Sequence, residues 1–217
     1  MIKAVIFDMD GLLIDSEPFW TDVETKVFRS VGVPITPSMT KQTMGLRTDE
    51  VVEYWYKRYP WKNKKNKEVL DEITENIVFL VNQKGEEMDG VTTVLKLLKK
   101  QGFLIGLASS SYKTVIDAVI RKLNINNFFD VVYSAENEEF GKPHPGVYIT
   151  TSKKLHVEPE NCLVFEDSPN GVVAAKAAKM TCLAIPEKFV KSDKRFLIAD
   201  AMLRSLKEFN LSILKSF

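Results

Sequence analysis

Two aspartates one residue apart follow an apolar run: the chain reads Phe7-Asp8-Met9-Asp10-Gly11. Carboxylates that close repel one another, and a buried charge must be paired or coordinate a metal. An oxygen-preferring divalent cation such as Mg2+ is therefore their natural partner. Taken alone, the motif also reads as an Asp-Gly turn with exposed carboxylates. Three later segments supply complementary chemistry. Leu107-Ala108-Ser109-Ser110-Ser111 offers hydroxyls and consecutive backbone N–H groups just ahead of a helix, a cradle for phosphate oxygens, although a helix cap would look the same. Gly141-Lys142-Pro143-His144-Pro145 holds one lysine in a loop restricted by prolines, which either delivers a fixed positive charge or is a surface side chain. Phe165-Glu166-Asp167-Ser168-Pro169-Asn170-Gly171 brings a second acidic pair. Two acidic pairs, a lysine and a hydroxyl cradle make one chemistry coherent: an anionic nucleophile approaches an anionic phosphate only where a cation and a lysine neutralise the repulsion.

These residues need a scaffold that brings them together. Residues 3–7, 103–108, 130–133, 161–165 and 181–185 are short runs rich in β-branched and apolar residues, separated by helical stretches, which predicts a parallel sheet. Val91, Val94, Leu95 and Leu98 form one helical stripe, and Val115, Ile116, Val119, Ile120 and Leu123 another, so helices cover that sheet. Each acidic pair then falls at the carboxyl end of a strand, where open α/β sheets bind ligands. Residues 17–87 break the alternation. They hold helical stripes, such as Phe19, Val23, Val27, Val31 and then Val69, Ile73, Ile77, Leu80, with no convincing strand. Ser16 with Pro18 offers a helix cap and a first-turn proline, and Thr48 with Asp49 and Glu50 opens a second helix. The expected fold is α/β: a Rossmann-like parallel-sheet core over 1–16 and 88–217, with an all-helical cap inserted over 17–87.

Composition excludes other classes. Across 217 residues, 30 Lys and Arg stand against 29 Asp and Glu, so no whole-surface field gathers nucleic acid or anionic membrane. The opening MIKAVIFDMD meets an aspartate before a signal peptide's apolar stretch could be completed, and nowhere do ~18 consecutive apolar residues occur. A cytoplasmic protein without membrane partners is expected. Cys162 and Cys182 have no zinc or redox spacing and read as inert buried thiols. His144, held between prolines, and His156 read as structural.

The order and spacing of DMDGLLIDSE, the Ser109 motif, Lys142 and EDSPNG resemble the haloacid dehalogenase-like superfamily of phosphotransferases, over essentially the whole chain. The resemblance implies that Asp8 attacks phosphorus and that Asp10 protonates the leaving alkoxide and then deprotonates water. Ser109 and Lys142 would hold the phosphoryl group. Mg2+ would be bound by the Asp8 carboxylate, the Asp10 backbone carbonyl and Asp167, with Glu166 a direct or water-mediated ligand.

DSEPFW, MGLRTDEVVEYWY, Pro60-Trp61, KPHPGVY and EDSPNGVVAAKAA are together similar to a sugar-phosphatase subgroup containing hexitol phosphatases and 2-deoxyglucose-6-phosphatases. That implies a phosphoric monoester hydrolase acting through an aspartyl-phosphate on a small phosphorylated sugar or sugar alcohol. The core motifs see only phosphate, so the cap chooses the substrate. Arg47 and Trp20 are its candidate substrate contacts, with Ser110 and Ser111 joining from the core. Tyr54, Trp55, Tyr56 and Trp61 read as cap packing. The neighbouring β-phosphoglucomutase subgroup shares the fold but carries a histidine where this chain has Trp20 and a lysine where it has Met44. A phospho-acceptor receiver module would lack the long helical insert, and an inactive binder would not keep the full set of polar residues. A monomer is expected, with a dimer left open.

Overall fold

The computed structural model describes residues 1–187, 190–214 and 217. The five apolar runs become β1 (Ala4–Phe7), β2 (Leu104–Ser109), β3 (Val131–Ser134), β4 (Cys162–Glu166) and β5 (Thr181–Ala184). A sixth strand, β6 (Ala201–Met202), is only two residues long and has no run to announce it. The order is β3-β2-β1-β4-β5-β6, and every pairing is parallel. Parallel sheets are buried on both faces, and side chains alternate between them. Val5 and Phe7 of β1 therefore face α4 (Val91–Lys100) and α5 (Lys113–Lys122), while Ala4 and Ile6 face α6 (Gly146–Lys154) and α7 (Pro169–Ala177). Phe7 stacks on Phe165 of β4 at 5.0 Å between ring centroids. Fully burying a side chain of this size stabilises by about 1.5–3 kcal/mol, so the two strands that end at the acidic pairs are strongly fixed against each other.

Between β1 and α4 the chain is helical: α1 (Glu17–Ser30), α2 (Thr48–Arg58) and α3 (Asn66–Lys84). Helices α1 and α2 both pack on α3, and Phe28 meets Trp55 and Trp61 at 6.3 and 6.1 Å between centroids. Trp55 and Trp61 are buried, whereas Tyr56 is exposed and Tyr54 half-buried. Ile14 bridges to both Asp10 and Glu87, so the segments that lead into and out of this helical stretch lie side by side. Helix α3 also packs on α5, which makes the apolar interior continuous from these helices into the sheet layer. No helix among the described residues is long and apolar enough to cross a membrane. Both cysteines are buried free thiols, and burial pushes the Cys162 thiol up to about 12.

Candidate active site

The strand order reverses between β1 and β4, and a ligand crevice forms at such a switch point beyond the carboxyl ends of the strands. Asp8 follows β1 directly, and its N–H donates to the Phe165 carbonyl at 3.0 Å, extending the ladder into the site. Ser109 ends β2, while Glu166 ends β4 and Asp167 follows it directly. Lys142 arrives from the loop between β3 and α6. Its ammonium group is fully buried and donates to Asp8 Oδ1 at 2.5 Å and Glu166 Oε1 at 2.6 Å. Burial opposes that charge, but the Asp8 and Glu166 carboxylates outweigh it and hold the lysine pKa above its ordinary value.

One oxygen each from Asp8, Glu166 and Asp167 lies within 4.8 Å of the others. Their environments differ. Both Glu166 oxygens are engaged by protein donors: Lys142 and the Tyr148 hydroxyl (2.6 Å) on Oε1, the Ser168 N–H (3.0 Å) and hydroxyl (3.1 Å) on Oε2. Asp167 Oδ2 is buried and has no hydrogen-bond partner among the described residues. Burial raises the Asp167 carboxyl well above the usual carboxylate range, and the Glu166 and Asp8 charges add to the shift. Burial likewise pushes Asp8 up to about 7, with Lys142 pulling it down and Glu166 and Asp10 pushing it further up. An orphaned buried oxygen among convergent carboxylates, over-compensated by negative charge, fits a hard divalent cation. Gly11 adopts φ +71°, and a Cβ there would fall 2.3 Å from Asp167 Oδ2. Glycine at that position is what lets the loop after β1 close over the orphaned oxygen.

Asp10 is gripped by three donors. Ser16 Oγ (2.7 Å) and Trp20 Nε1 (2.8 Å) donate to Oδ1, and Ser111 Oγ (2.7 Å) donates to Oδ2. Ser16 stands at the cap position of α1, as its sequence context predicts, but its hydroxyl serves Asp10 instead of the helix. Ser109 Oγ accepts the Ser111 N–H at 3.0 Å, which folds the Ser109–Ser111 turn around the crevice. Ser110 donates to the Gly45 carbonyl at 2.9 Å and so ties the core to the helical insert.

Arg47 stands elsewhere than the sequence expectation puts it. Its guanidinium is engaged by Asp49 (2.6 Å) and by the Ala135 and Glu138 carbonyls (2.9 and 2.8 Å). It thus latches α2 to the loop after β3 and does not line the cleft. Glu50, accepting the Gly141 N–H at 2.8 Å, and Asn170, donating to the Met44 carbonyl at 2.9 Å, complete this latch. Trp20 does line the cleft, and its polar edge reaches Asp10, a role beyond the pocket wall expected from sequence.

The cleft itself encloses about 850 Å³, with Asp8, Asp10, Lys142 and Asp167 on its floor and α1 along its ceiling. The sequence profile of the haloacid dehalogenase-like hydrolases matches residues 5–185. The chain belongs to this family. It is 42% identical over 208 residues to hexitol phosphatase B of Escherichia coli K12, covering 95% of this chain and 94% of that one. It is 29% identical to a phosphorylated carbohydrates phosphatase of Thermotoga maritima, over 99% of both chains. The crystal structure of a β-phosphoglucomutase from Clostridium difficile superposes with a TM-score of 0.86 at 24% identity, covering all of this chain and 96% of the other.

Within this haloacid dehalogenase-like hydrolase, several site residues stand inside the quoted motifs but have roles that the motifs alone do not announce. Tyr148 sits on α6 and looks like a core aromatic in sequence. Ser168 caps α7 by accepting the Gly171 N–H at 3.0 Å, and the same hydroxyl also donates to Glu166. Glu17 lies in the cleft wall, and burial, followed by the charges of Asp10, Glu187, Asp8 and Asp15, pushes it up to about 8. Only Tyr148's place one turn behind the Lys142 loop could have pointed to it.

Proposed function

We propose that the chain is a Mg2+-dependent phosphatase of small sugar or sugar-alcohol phosphates that works through an aspartyl-phosphate on Asp8. The observation that carries this reading is the convergence of Asp8, Lys142 and the partnerless Asp167 oxygen at the floor of a cleft that the inserted helices roof. The Asp8 carboxylate, the Asp10 backbone carbonyl and Asp167 would hold the cation, with Glu166 placing Lys142 and completing the negative field. The cation would supply charge neutralisation for the transferring phosphoryl group.

Asp8 is the nucleophile: Lys142 holds Oδ1, and Oδ2 accepts no hydrogen bond among the described residues, which leaves it free to approach phosphorus or a cation. Lys142 and the Ser109–Ser111 turn neutralise and orient the phosphoryl oxygens. The carbon–oxygen side of the ester leaves as an alkoxide and takes a proton from Asp10. Water then attacks the aspartyl-phosphate, gives its proton back to Asp10, and releases inorganic phosphate and the free Asp8 carboxylate. On this reading the proton belongs on one particular oxygen. An indole N–H can only donate, so Oδ1, facing Trp20, stays an acceptor; the Ser111 hydroxyl can turn round to accept, so Oδ2 is the oxygen that carries the proton.

The similarity to hexitol phosphatase B and the Thermotoga carbohydrate phosphatase supports the substrate class. The test is a panel of hexose, deoxyhexose and hexitol phosphates, with inorganic phosphate and isomerised sugar both measured, and with chelator followed by added Mg2+. Phosphate release that is lost with chelator and restored by the metal is expected. Isomerised sugar as the main product would instead make the chain a mutase, and turnover indifferent to chelation would remove the cation.

A further inference from the structure

The helix α1 carries two faces. Val23, Val27 and Phe28 point into the apolar interior. Glu17, Trp20, Thr21, Glu24 and Thr25 line the cleft. Trp20 reaches Asp10, and Glu24 stands four residues on, about 6 Å further along the helix. Glu24 is 7% exposed and Thr25 8%. Glu24 makes no hydrogen bond or ion pair among the described residues, and Thr25 Oγ1 is a buried atom without a partner. Buried polar groups are normally hydrogen-bonded, so an orphaned hydroxyl beside an unpaired carboxyl on a cavity wall calls for an explanation. Their neighbours are not orphans: Thr40 and Thr43 donate to backbone carbonyls at 3.0 and 2.9 Å, and Arg29 donates to the Ile35 carbonyl at 3.0 Å.

We propose that Glu24 and Thr25 are the specificity-determining residues of this cleft, binding the hydroxyl groups of the substrate's carbon chain beyond the phosphate. Each C–OH group of a polyol both donates and accepts, and so do a protonated carboxyl and a threonine hydroxyl, so the pairing satisfies all partners. Burial, with the Glu17 charge in second place, pushes the Glu24 carboxyl up to about 8. A carboxyl that keeps its proton does not repel a phosphorylated ligand. An aryl leaving group would leave both residues unpaired, which is how a polar pocket discriminates. The inference rests on the phosphatase reading above and names which part of the substrate the cap reads.

The test is the ratio of kcat/KM for glucitol 6-phosphate to that for p-nitrophenyl phosphate, in wild type, Glu24→Ala, Thr25→Val and the conservative Glu24→Gln. Removing one buried partner is expected to lower the ratio on the order of 10- to 100-fold in Glu24→Ala and Thr25→Val, through KM more than kcat. Glu24→Gln, which keeps a donor and an acceptor, is expected to restore most of it. Ratios unchanged from wild type, including parallel losses on both substrates, would overturn the assignment. Should Glu24→Ala fail to fold, Thr25→Val decides by the same ratio. A wild type that hydrolyses the aryl ester but no sugar or polyol phosphate would overturn the phosphatase reading as well; a polyol-active wild type with flat ratios overturns this inference alone.

Discussion

The floor and the ceiling of the cleft are built on opposite terms. On the floor nearly every polar atom is engaged: Lys142 joins Asp8 to Glu166, Tyr148 and Ser168 saturate Glu166, and Asp10 takes three donors. Among the described residues the gaps there are Asp8 Oδ2 and Asp167 Oδ2, both among the convergent carboxylates. On the ceiling, Glu24 faces the cavity with no hydrogen bond or ion pair among the described residues, and beside it the Thr25 hydroxyl is buried without a partner there. A fully connected network fixes geometry to a fraction of an ångström, which chemistry on phosphorus needs. A ceiling with unmet hydrogen-bonding capacity waits for a ligand to supply it. On the reading proposed above, rigidity serves catalysis on the floor and incompleteness serves recognition on the ceiling.

The sharpest way to break this comparison is Asp8→Asn. If the floor does the chemistry, the variant loses p-nitrophenyl phosphate turnover by on the order of 10⁴-fold or more, while its circular dichroism stays that of the wild type. Residual activity within about tenfold of wild type would move the nucleophile elsewhere. Trp20→Phe tests the seam between the two regions, because it keeps the ring and removes only the N–H that holds Asp10 Oδ1. A drop in kcat of about 5- to 10-fold is expected, the worth of one hydrogen bond, with the pH–rate profile displaced and KM nearly constant. A change confined to KM would make Trp20 a wall of the pocket and nothing more.

The smallest effect concerns stability. The Glu24 carboxyl is held at about 8 in the folded chain against an ordinary 4.5. The folded state therefore binds this proton more tightly than the unfolded one, and the group's contribution falls as pH rises from about 4.5 through about 8. Glu24→Gln removes that loss. The variant should melt together with wild type near pH 5 and a few degrees above it at pH 8 to 9; equal melting temperatures across that window would show that the carboxyl is not desolvated.

Strands and motifs were legible in the sequence because a central parallel strand, buried on both faces, must be an unbroken apolar run, and because acids at the ends of such runs are conspicuous. β6 was not, since Ala201 and Met202 at the sheet edge carry no pattern. On α1 the apolar stripe of Val23 and Val27 drew attention to the face that packs, and hid the polar stripe of Glu17, Thr21 and Glu24 at the same period. Arg47 looked like a substrate contact because a guanidinium near a cap loop suits an anion. Two of its actual partners, the Ala135 and Glu138 carbonyls, lie some ninety positions away, a separation that only folding closes. Glu166 read as a possible metal ligand by its neighbour's company; that Tyr148 and Ser168 occupy its oxygens depends on how α6 and α7 flank β4.

Gly171 extends the reach of that arrangement. A methyl group at this place would lie 1.6 Å from Glu166 Oε1, inside the carboxylate itself. Even alanine would evict the anchor that steadies Lys142, silencing turnover from a position that touches neither phosphate nor sugar. A random mutagenesis screen would register residue 171 beside the reacting groups, and the lesion would be one of missing empty space.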